Sequence, residues 1–266
     1  MAFIEVCDVS KSFPSAGGPR EVLHRATFSV ARGEFVAIIG TMGCGKSTLV
    51  NLLAGLLQPD SGRLSIDGRP IEGVRRDAAL VFQNYSLLPW FSALENVRLA
   101  VSAAFPEWPK ERQRAHARQS LERVGLANAL QRRPSQLSGG MRQRVAIARA
   151  FAIEPEILFL DEPFGALDAL TRGALQHELS SLCASTERPV TVVMITNNVD
   201  EAMLLADRIV PMTRGPRATL GVPLPVSLPR PRGADFLIRD PLAVRVRANI
   251  VEALTGARAH RAERVA

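Results

Sequence analysis

The chain has 266 residues, 47% of them hydrophobic and 22% charged, with a formal net charge of +7. That length makes one large domain or two small ones with a sizeable core, and the composition is that of an ordinary globular protein. No run approaches the roughly 18 apolar residues of a membrane span, so work at a membrane would have to be done through a partner.

The basic excess is mostly Arg, scattered and interleaved with Asp and Glu, which reads as a solvated mixed-charge surface rather than a nucleic-acid patch. Cys7, Cys44 and Cys183 lack metal-ligand spacing and fit a reducing cytoplasm. The N-terminal stretch has neither the basic region nor the apolar core of a signal peptide.

In chain order, residues 3–9 read as a strand, 10–14 as a turn out of it, and 26–30 as a second strand. The apolar run 35–39 is a third, short and continuous as in a buried strand. It leads into Gly40-Thr41-Met42-Gly43-Cys44-Gly45-Lys46-Ser47-Thr48, after which Leu49, Val50, Leu52, Leu53, Leu56 and Leu57 recur at helical spacing. A turn at 58–62 precedes a hairpin signal at Asp67-Gly68. Residues 79–82 form another apolar strand that ends on Gln83.

Between residues 91 and 152 the texture becomes helical, and strand texture returns at 156–162. A helix over 168–182, a strand over 190–196, a helix over 199–206 and a strand over 208–212 follow. Strands alternating with helices predict an α/β fold with a parallel sheet. Beyond Thr213, prolines at 216, 223, 225, 229 and 231 punctuate what reads as a surface-tracking linker. A last helix is expected over 242–254, with fraying over 257–266.

Three stretches carry chemistry. The run 40–48 fits G-x-x-x-x-G-K-[ST] between a buried strand and a helix. There, loop N–H groups and the helix N-terminus converge on phosphate, Lys46 reaches the terminal phosphates and the Ser47 hydroxyl ligates Mg²⁺. This predicts a nucleoside triphosphate ligand. Asp161 and Glu162 close an apolar strand, a setting in which Asp161 holds the metal and Glu162 polarises the attacking water. Ser138 is an apt N-cap for the helical run that follows, and Gly139 and Gly140 expose N–H groups there as a second anion site.

The phosphate loop, Gln83 after a strand, Leu137-Ser138-Gly139-Gly140, Asp161-Glu162-Pro163 and Ala166-Leu167-Asp168 occur in the order of an ATP-binding cassette (ABC) ATPase, which the chain resembles over about residues 3–212. Met141 after the two glycines, Val199-Asp200-Glu201-Ala202, and Met212-Thr213-Arg214-Gly215-Pro216 narrow the likeness to the ATP-binding subunits of nitrate, sulfonate and taurine importers. The resemblance implies a P-loop NTPase (RecA-like) core with a parallel sheet, an antiparallel β subdomain and a helical insertion at about 90–152. The cassette would span 1–220 and a Pro-rich extension 221–266.

It also implies ATP and Mg²⁺ as ligands, and a head-to-tail pair of cassettes, alike or different, with each ATP between the phosphate loop of one and Ser138-Gly139-Gly140 of the other. Asp168 would lie at that interface. Gln83 would sense Mg²⁺ and the attacking water. Residues 85–91, including Trp90, would receive a transmembrane permease, and an extracytoplasmic solute-binding protein would act indirectly. The expected location is peripheral, on the cytoplasmic face of the inner membrane, with no nucleic-acid partner. Phe13 matches the residue that stacks on adenine, with a small local core residue as the lesser reading.

Two departures stand out: Asn197 occupies the position where the family usually has a His on the terminal phosphate, and Thr41-Met42 replaces Pro-Ser. A P-loop GTPase is a rival reading, with Asn197-Asn198-Val199-Asp200 set against Asn-Lys-x-Asp. An ABC-type ATPase acting on nucleic acid or ribosomes is another.

Overall fold

A computed structural model describes residues 2–184 and 189–262. The strands in chain order are β1 (Ala2–Phe13), β2 (Arg20–Ala31), β3 (Phe35–Ile39), β4 (Ser61–Ile66), β5 (Arg69–Pro70), β6 (Ala78–Val81), β7 (Ile157–Asp161), β8 (Thr191–Thr196), β9 (Arg208–Pro211) and β10 (Leu224–Pro225). The α-helices are α1 (Lys46–Leu53), α2 (Ala93–Ala104), α3 (Lys110–Arg123), α4 (Gly139–Phe151), α5 (Ala169–Ala184), α6 (Val199–Leu205), α7 (Ala234–Arg239) and α8 (Pro241–Ala262). They fall into two compact units, one of residues 1–74 with 191–266 and one of residues 75–190.

The first unit holds an antiparallel sheet in the order β2-β1-β4-β5 and a second run of strands in the order β10-β9-β3-β8. In the second run β3 pairs in parallel with both β8 and β9, and β10 closes the edge antiparallel to β9. Parallel strands covered on both faces need apolar residues throughout rather than alternation, and all five residues of β3 and all six of β8 are buried. Arg208 at the start of β9 fixes the register with a fork on Glu34, Nε to Oε1 at 2.7 Å and Nη2 to Oε2 at 2.9 Å. The Asp67-Gly68 hairpin joins β4 to β5 as expected, with φ of 52° and 72° at its two central residues.

The second unit pairs β6 with β7 in parallel and carries the helical insertion. Val97 and Val101 of α2 and Ala117 and Leu121 of α3 are buried at helical spacing, while α4 is buried continuously over Val145, Ala146, Ile147 and Ala148.

Four elements differ from the sequence reading. β1 does not turn at Ser10 but pairs with β2 as far as Phe13 opposite Arg20. Its far end is secured by Asp60, which accepts from Lys11 Nζ at 2.7 Å and from Ser12 N at 2.6 Å. Helix α1 stops at Leu53, leaving Leu56 half exposed. Gly55 follows at φ +73°, and a Cβ there would meet the Gly73 carbonyl oxygen at 2.1 Å, so the chain must turn rather than continue its helix.

The Pro-rich stretch is not a loose linker. Val226 and Leu228 are buried within it, and Val226 N donates to Asp207 O at 2.8 Å. The last helix runs beyond residue 254 to Ala262, and the part of the expected frayed tail over 263–266 lies outside the described residues.

Candidate functional site

The phosphate loop joins β3 to α1 in the first unit. Gly43 and Gly45 take φ of +74° and +109°, and a Cβ on Gly40 would lie 2.7 Å from Cys44 Sγ. Backbone conformation at Gly43, close packing at Gly40 and both at Gly45 therefore call for glycine, the winding of a loop whose N–H groups can cradle an anion. Lys46 is buried, and its Nζ donates to Gly40 O at 3.0 Å and Thr41 O at 3.2 Å. An ammonium held on two carbonyl dipoles is pre-positioned for phosphate oxygens.

Cys44 is buried beneath the loop, Thr48 is half-buried, and Met42 is 82% exposed. No side chain caps α1, so the loop end of the helix is built for an anion rather than for a protein carboxylate. Gly215, beyond β9, packs on the loop, where a Cβ would lie 3.3 Å from Gly43 O.

Asn197 also lies in the first unit, exposed between β8 and α6. Its neighbours are fixed: Thr196 Oγ1 donates to Glu201 Oε2 at 2.7 Å and accepts from Asn198 N at 3.1 Å. Asn198 Oδ1 caps α6 by accepting from Asp200 N at 2.9 Å and Glu201 N at 3.3 Å. Phe13, at the tip of β1, is half-buried rather than part of the core, with Lys11 Nζ 5.9 Å from its ring centroid.

The second unit brings Gln83 and Glu162 together. A Cβ on Gly165 would lie 3.8 Å from Glu162 Oε2 and 3.9 Å from Gln83 Nε2, so both side chains reach the turn at Gly165. Glu162 has φ +43°, a left-handed backbone that turns the chain sharply after Asp161 at the end of β7.

Ser138 caps α4 by accepting from Met141 N at 3.2 Å. A Cβ on Gly140 would strike Thr171 Cγ2 at 2.4 Å, and one on Gly139 would lie 3.4 Å from Tyr85 Oη, so α5 and the segment after Gln83 pack directly on this helix start. Asp168 is exposed and accepts from Thr171 N at 3.0 Å at the head of α5. Its hydrogen bonds to the Thr171 side chain and backbone hold its carboxyl below the usual range.

The sequence reading missed Arg149, whose signal is a guanidinium inside the otherwise apolar run of α4. It donates to Tyr85 O and Ser86 O. It missed Asn96, buried on α2, whose amide accepts from Leu88 N and donates to the carbonyls of Leu88, Phe91 and Ser92. Arg232 and Arg247, whose partners lie on α6 and beside it, were also missed.

The residues present fit a polyphosphate, because the cradle, the buried ammonium and the uncapped helix start coincide. Among the described residues no group of three or more His, Cys, Asp or Glu side chains could hold a metal by itself. Ser47 in the first unit and Gln83 and Asp161 in the second each carry an oxygen donor of the kind that Mg²⁺ takes, an ion that keeps few protein ligands and completes its shell from phosphate and water. Among the described residues no helix is long and apolar enough to cross a membrane.

Comparison with known proteins places these features in context. The ABC transporter family model matches residues 23–165, just over half of the chain. The chain is 49% identical over 97% of its length to the nitrate import ATP-binding protein NrtD of Synechococcus elongatus, covering 93% of that protein. It is 45% identical over 97% of its length to the bicarbonate transport ATP-binding protein CmpD of Synechocystis sp., covering 91% of it. The nitrate transport protein NasD of Klebsiella oxytoca matches at 48% identity over 89% of this chain and 90% of its own. Among solved structures, the dimeric post-hydrolysis state of an ATP-binding cassette bound to ADP and Pi aligns with a TM-score of 0.74 at 30% identity, covering 85% of this chain and 99% of that one.

Proposed function

Because the chain belongs to the ABC transporter family, we propose that it is the ATP-binding, ATP-hydrolysing subunit of an importer that powers uptake of a small anion such as nitrate. The observation that carries this reading is the end-to-end likeness to nitrate and bicarbonate import ATP-binding proteins. That likeness to transport proteins also favours import over an action on nucleic acid or ribosomes, and membership of the family replaces the GTPase reading.

In this role the N–H groups of the phosphate loop and Lys46 hold the phosphates of ATP, and Phe13 stacks on adenine. Ser47, Gln83 and Asp161 would hold Mg²⁺, which when bound neutralises phosphate charge. Glu162 accepts a proton from the water that attacks the terminal phosphorus, Gln83 orients that water, and the bond to ADP breaks on the far side. The Asn197 amide donates to the terminal phosphate, where its neutral charge stabilises developing negative charge less well than an imidazole able to take a proton.

Two cassettes pair head to tail, so that Ser138, Gly139 and Gly140 of one close on the nucleotide of the other. In support, the two most exposed large apolar side chains described, Leu170 at 88% and Met42 at 82%, lie one on each stretch that this pairing would cover. The Trp90 loop is the proposed dock for the permease, which would hold the protein on the cytoplasmic face of the membrane.

The test is uptake of isotope-labelled nitrate and bicarbonate by cells carrying the parental chain or its Lys46→Ala variant. Loss of uptake of one of the two anions supports the reading. Unchanged uptake of both would overturn it.

A further inference from the structure

Helix α6 is gripped at both ends by the C-terminal extension. At its carboxyl end Arg232 Nη1 donates to Met203 O at 2.8 Å and Ala206 O at 2.6 Å, while Nη2 holds Val226 O at 2.9 Å and Leu228 O at 3.1 Å. Arg230 Nη2 adds Leu205 O at 2.8 Å and Asp207 Oδ1 at 2.7 Å. Carbonyls of the last helical turn have no intrahelical partner, and here guanidiniums arriving from more than twenty residues downstream supply one. At the amino end Arg247 of α8 sits 2.7 Å from Asp200 as an ion pair not aligned as a hydrogen bond.

The amino end is also the end that carries Asn197. Asn197 is flanked by residues fixed to this seven-residue helix, Asn198 through its cap and Thr196 through its hydrogen bond to Glu201. Burial pushes the Arg232 pKa down to about 10, which leaves it cationic at neutral pH. Val226, Leu228 and Leu237 also anchor the extension by apolar burial, alongside the two arginine grips.

We propose that the C-terminal extension is a clamp on α6 that positions the Asn197 side chain for ATP turnover, with Arg232 and Arg247 as its positioning residues. This rests on the role proposed above for Asn197. The clamp acts on turnover more than on nucleotide affinity, because it touches neither the phosphate loop nor Phe13 in the contacts described.

The test is a double-mutant cycle on the full-length chain, read by single-turnover ATP hydrolysis at saturating ATP, fluorescent-nucleotide titration, and amide hydrogen exchange over residues 197–201. Arg247→Gln and Arg232→Lys should each slow turnover about 3- to 10-fold while changing ATP affinity by no more than about twofold, the range expected of coupling through a helix. Exchange over residues 197–201 should rise in both. Combined with Asn197→Ala, neither substitution should slow turnover beyond Asn197→Ala alone, and the exchanged pair Asp200→Arg with Arg247→Asp should restore the rate. Arg247→Gln alters a partly exposed pair and keeps the test open if Arg232→Lys fails to fold. Additive losses, or unchanged turnover in both clamp variants, would overturn the clamp and leave Asn197 in place. A neutral Asn197→Ala would remove the role of Asn197 and the clamp with it.

Discussion

The guanidinium of Arg149 donates from Nη1 to the carbonyl oxygen of Ser86 at 2.6 Å, and its Nη2 reaches Tyr85 O at 3.0 Å. Tyr85 and Ser86 are consecutive left-handed residues, at φ +65° and +45°, two and three positions after Gln83. Non-glycine residues enter that region at a cost, so something must over-determine the bend, and a planar two-pronged donor does so. Because Arg149 stands on α4, the helix that Ser138 caps, the segment after Gln83 and this helix are tied within the second unit. Burial lowers the Arg149 pKa.

Lysine at position 149 keeps the charge but loses the fork. Arg149→Lys should therefore destabilise the protein by about 1–3 kcal/mol, the range for leaving a partly buried acceptor unpaired. It should lower turnover through Gln83 while sparing ATP affinity. Urea denaturation and steady-state ATPase assays separate the two, and a variant with parental stability and rate would show that the strained pair holds itself.

The nucleotide site gives a paired prediction. Lys46→Ala removes the buried ammonium that rests on Gly40 O and Thr41 O, and it should abolish or greatly weaken ATP binding in a titration. Glu162→Gln keeps shape and hydrogen bonding but removes the base, so binding should survive and Mg-ATP should trap a dimer visible by size-exclusion chromatography. Parental hydrolysis by Glu162→Gln would remove Glu162 from the role of base.

Asp168 gives a pH signature. Its carboxyl is held low by the Thr171 hydroxyl and N–H, so it stabilises the fold above the ordinary carboxylate range and loses that contribution as pH falls through the depressed folded value. Asp168→Ala should lower Tm at neutral pH, and the gap to the parent should close under strongly acidic conditions. A gap independent of pH would mean that the loss is one of packing rather than of a charged cap.

What the sequence made legible was local. The phosphate loop, the Asp67-Gly68 hairpin and the Ser138 cap each depend on residues within a few positions of one another, and the structure has all three. What stayed hidden depends on distant partners. β1 extends to Phe13 because Asp60 holds its end, and α1 stops early because Gly55 lies against Gly73. The Pro-rich segment reads as a linker by composition, yet Arg232 finds its carbonyls on residues 203 and 206, and no short-range pattern announces that. Gln83 and Glu162 were each legible from a strand end, whereas their shared approach to the turn at Gly165 was not.

Trp90 supports the last prediction. It is 63% exposed, and the loop that presents it is not loose: buried Asn96 bonds to the backbone of Leu88 on both its N–H and C=O, and to the carbonyls of Phe91 and Ser92. Phe91 backs the indole edge-on, with ring centroids 6.3 Å apart. A large aromatic held out on a pre-organised loop loses little entropy on binding, which is what an interface anchor requires. Trp90→Asp should then lower recovery of the permease in copurification at least about tenfold, the equivalent of removing one anchor residue, while leaving ATP binding at the parental value. Asn96→Ala tests the loop rather than the anchor: it should weaken docking and also lower thermal stability, because four backbone contacts lose their partner. Full recovery of the permease by Trp90→Asp would move the docking surface away from this loop. Recovery unchanged in Asn96→Ala alone would mean that Trp90 binds without needing its loop held.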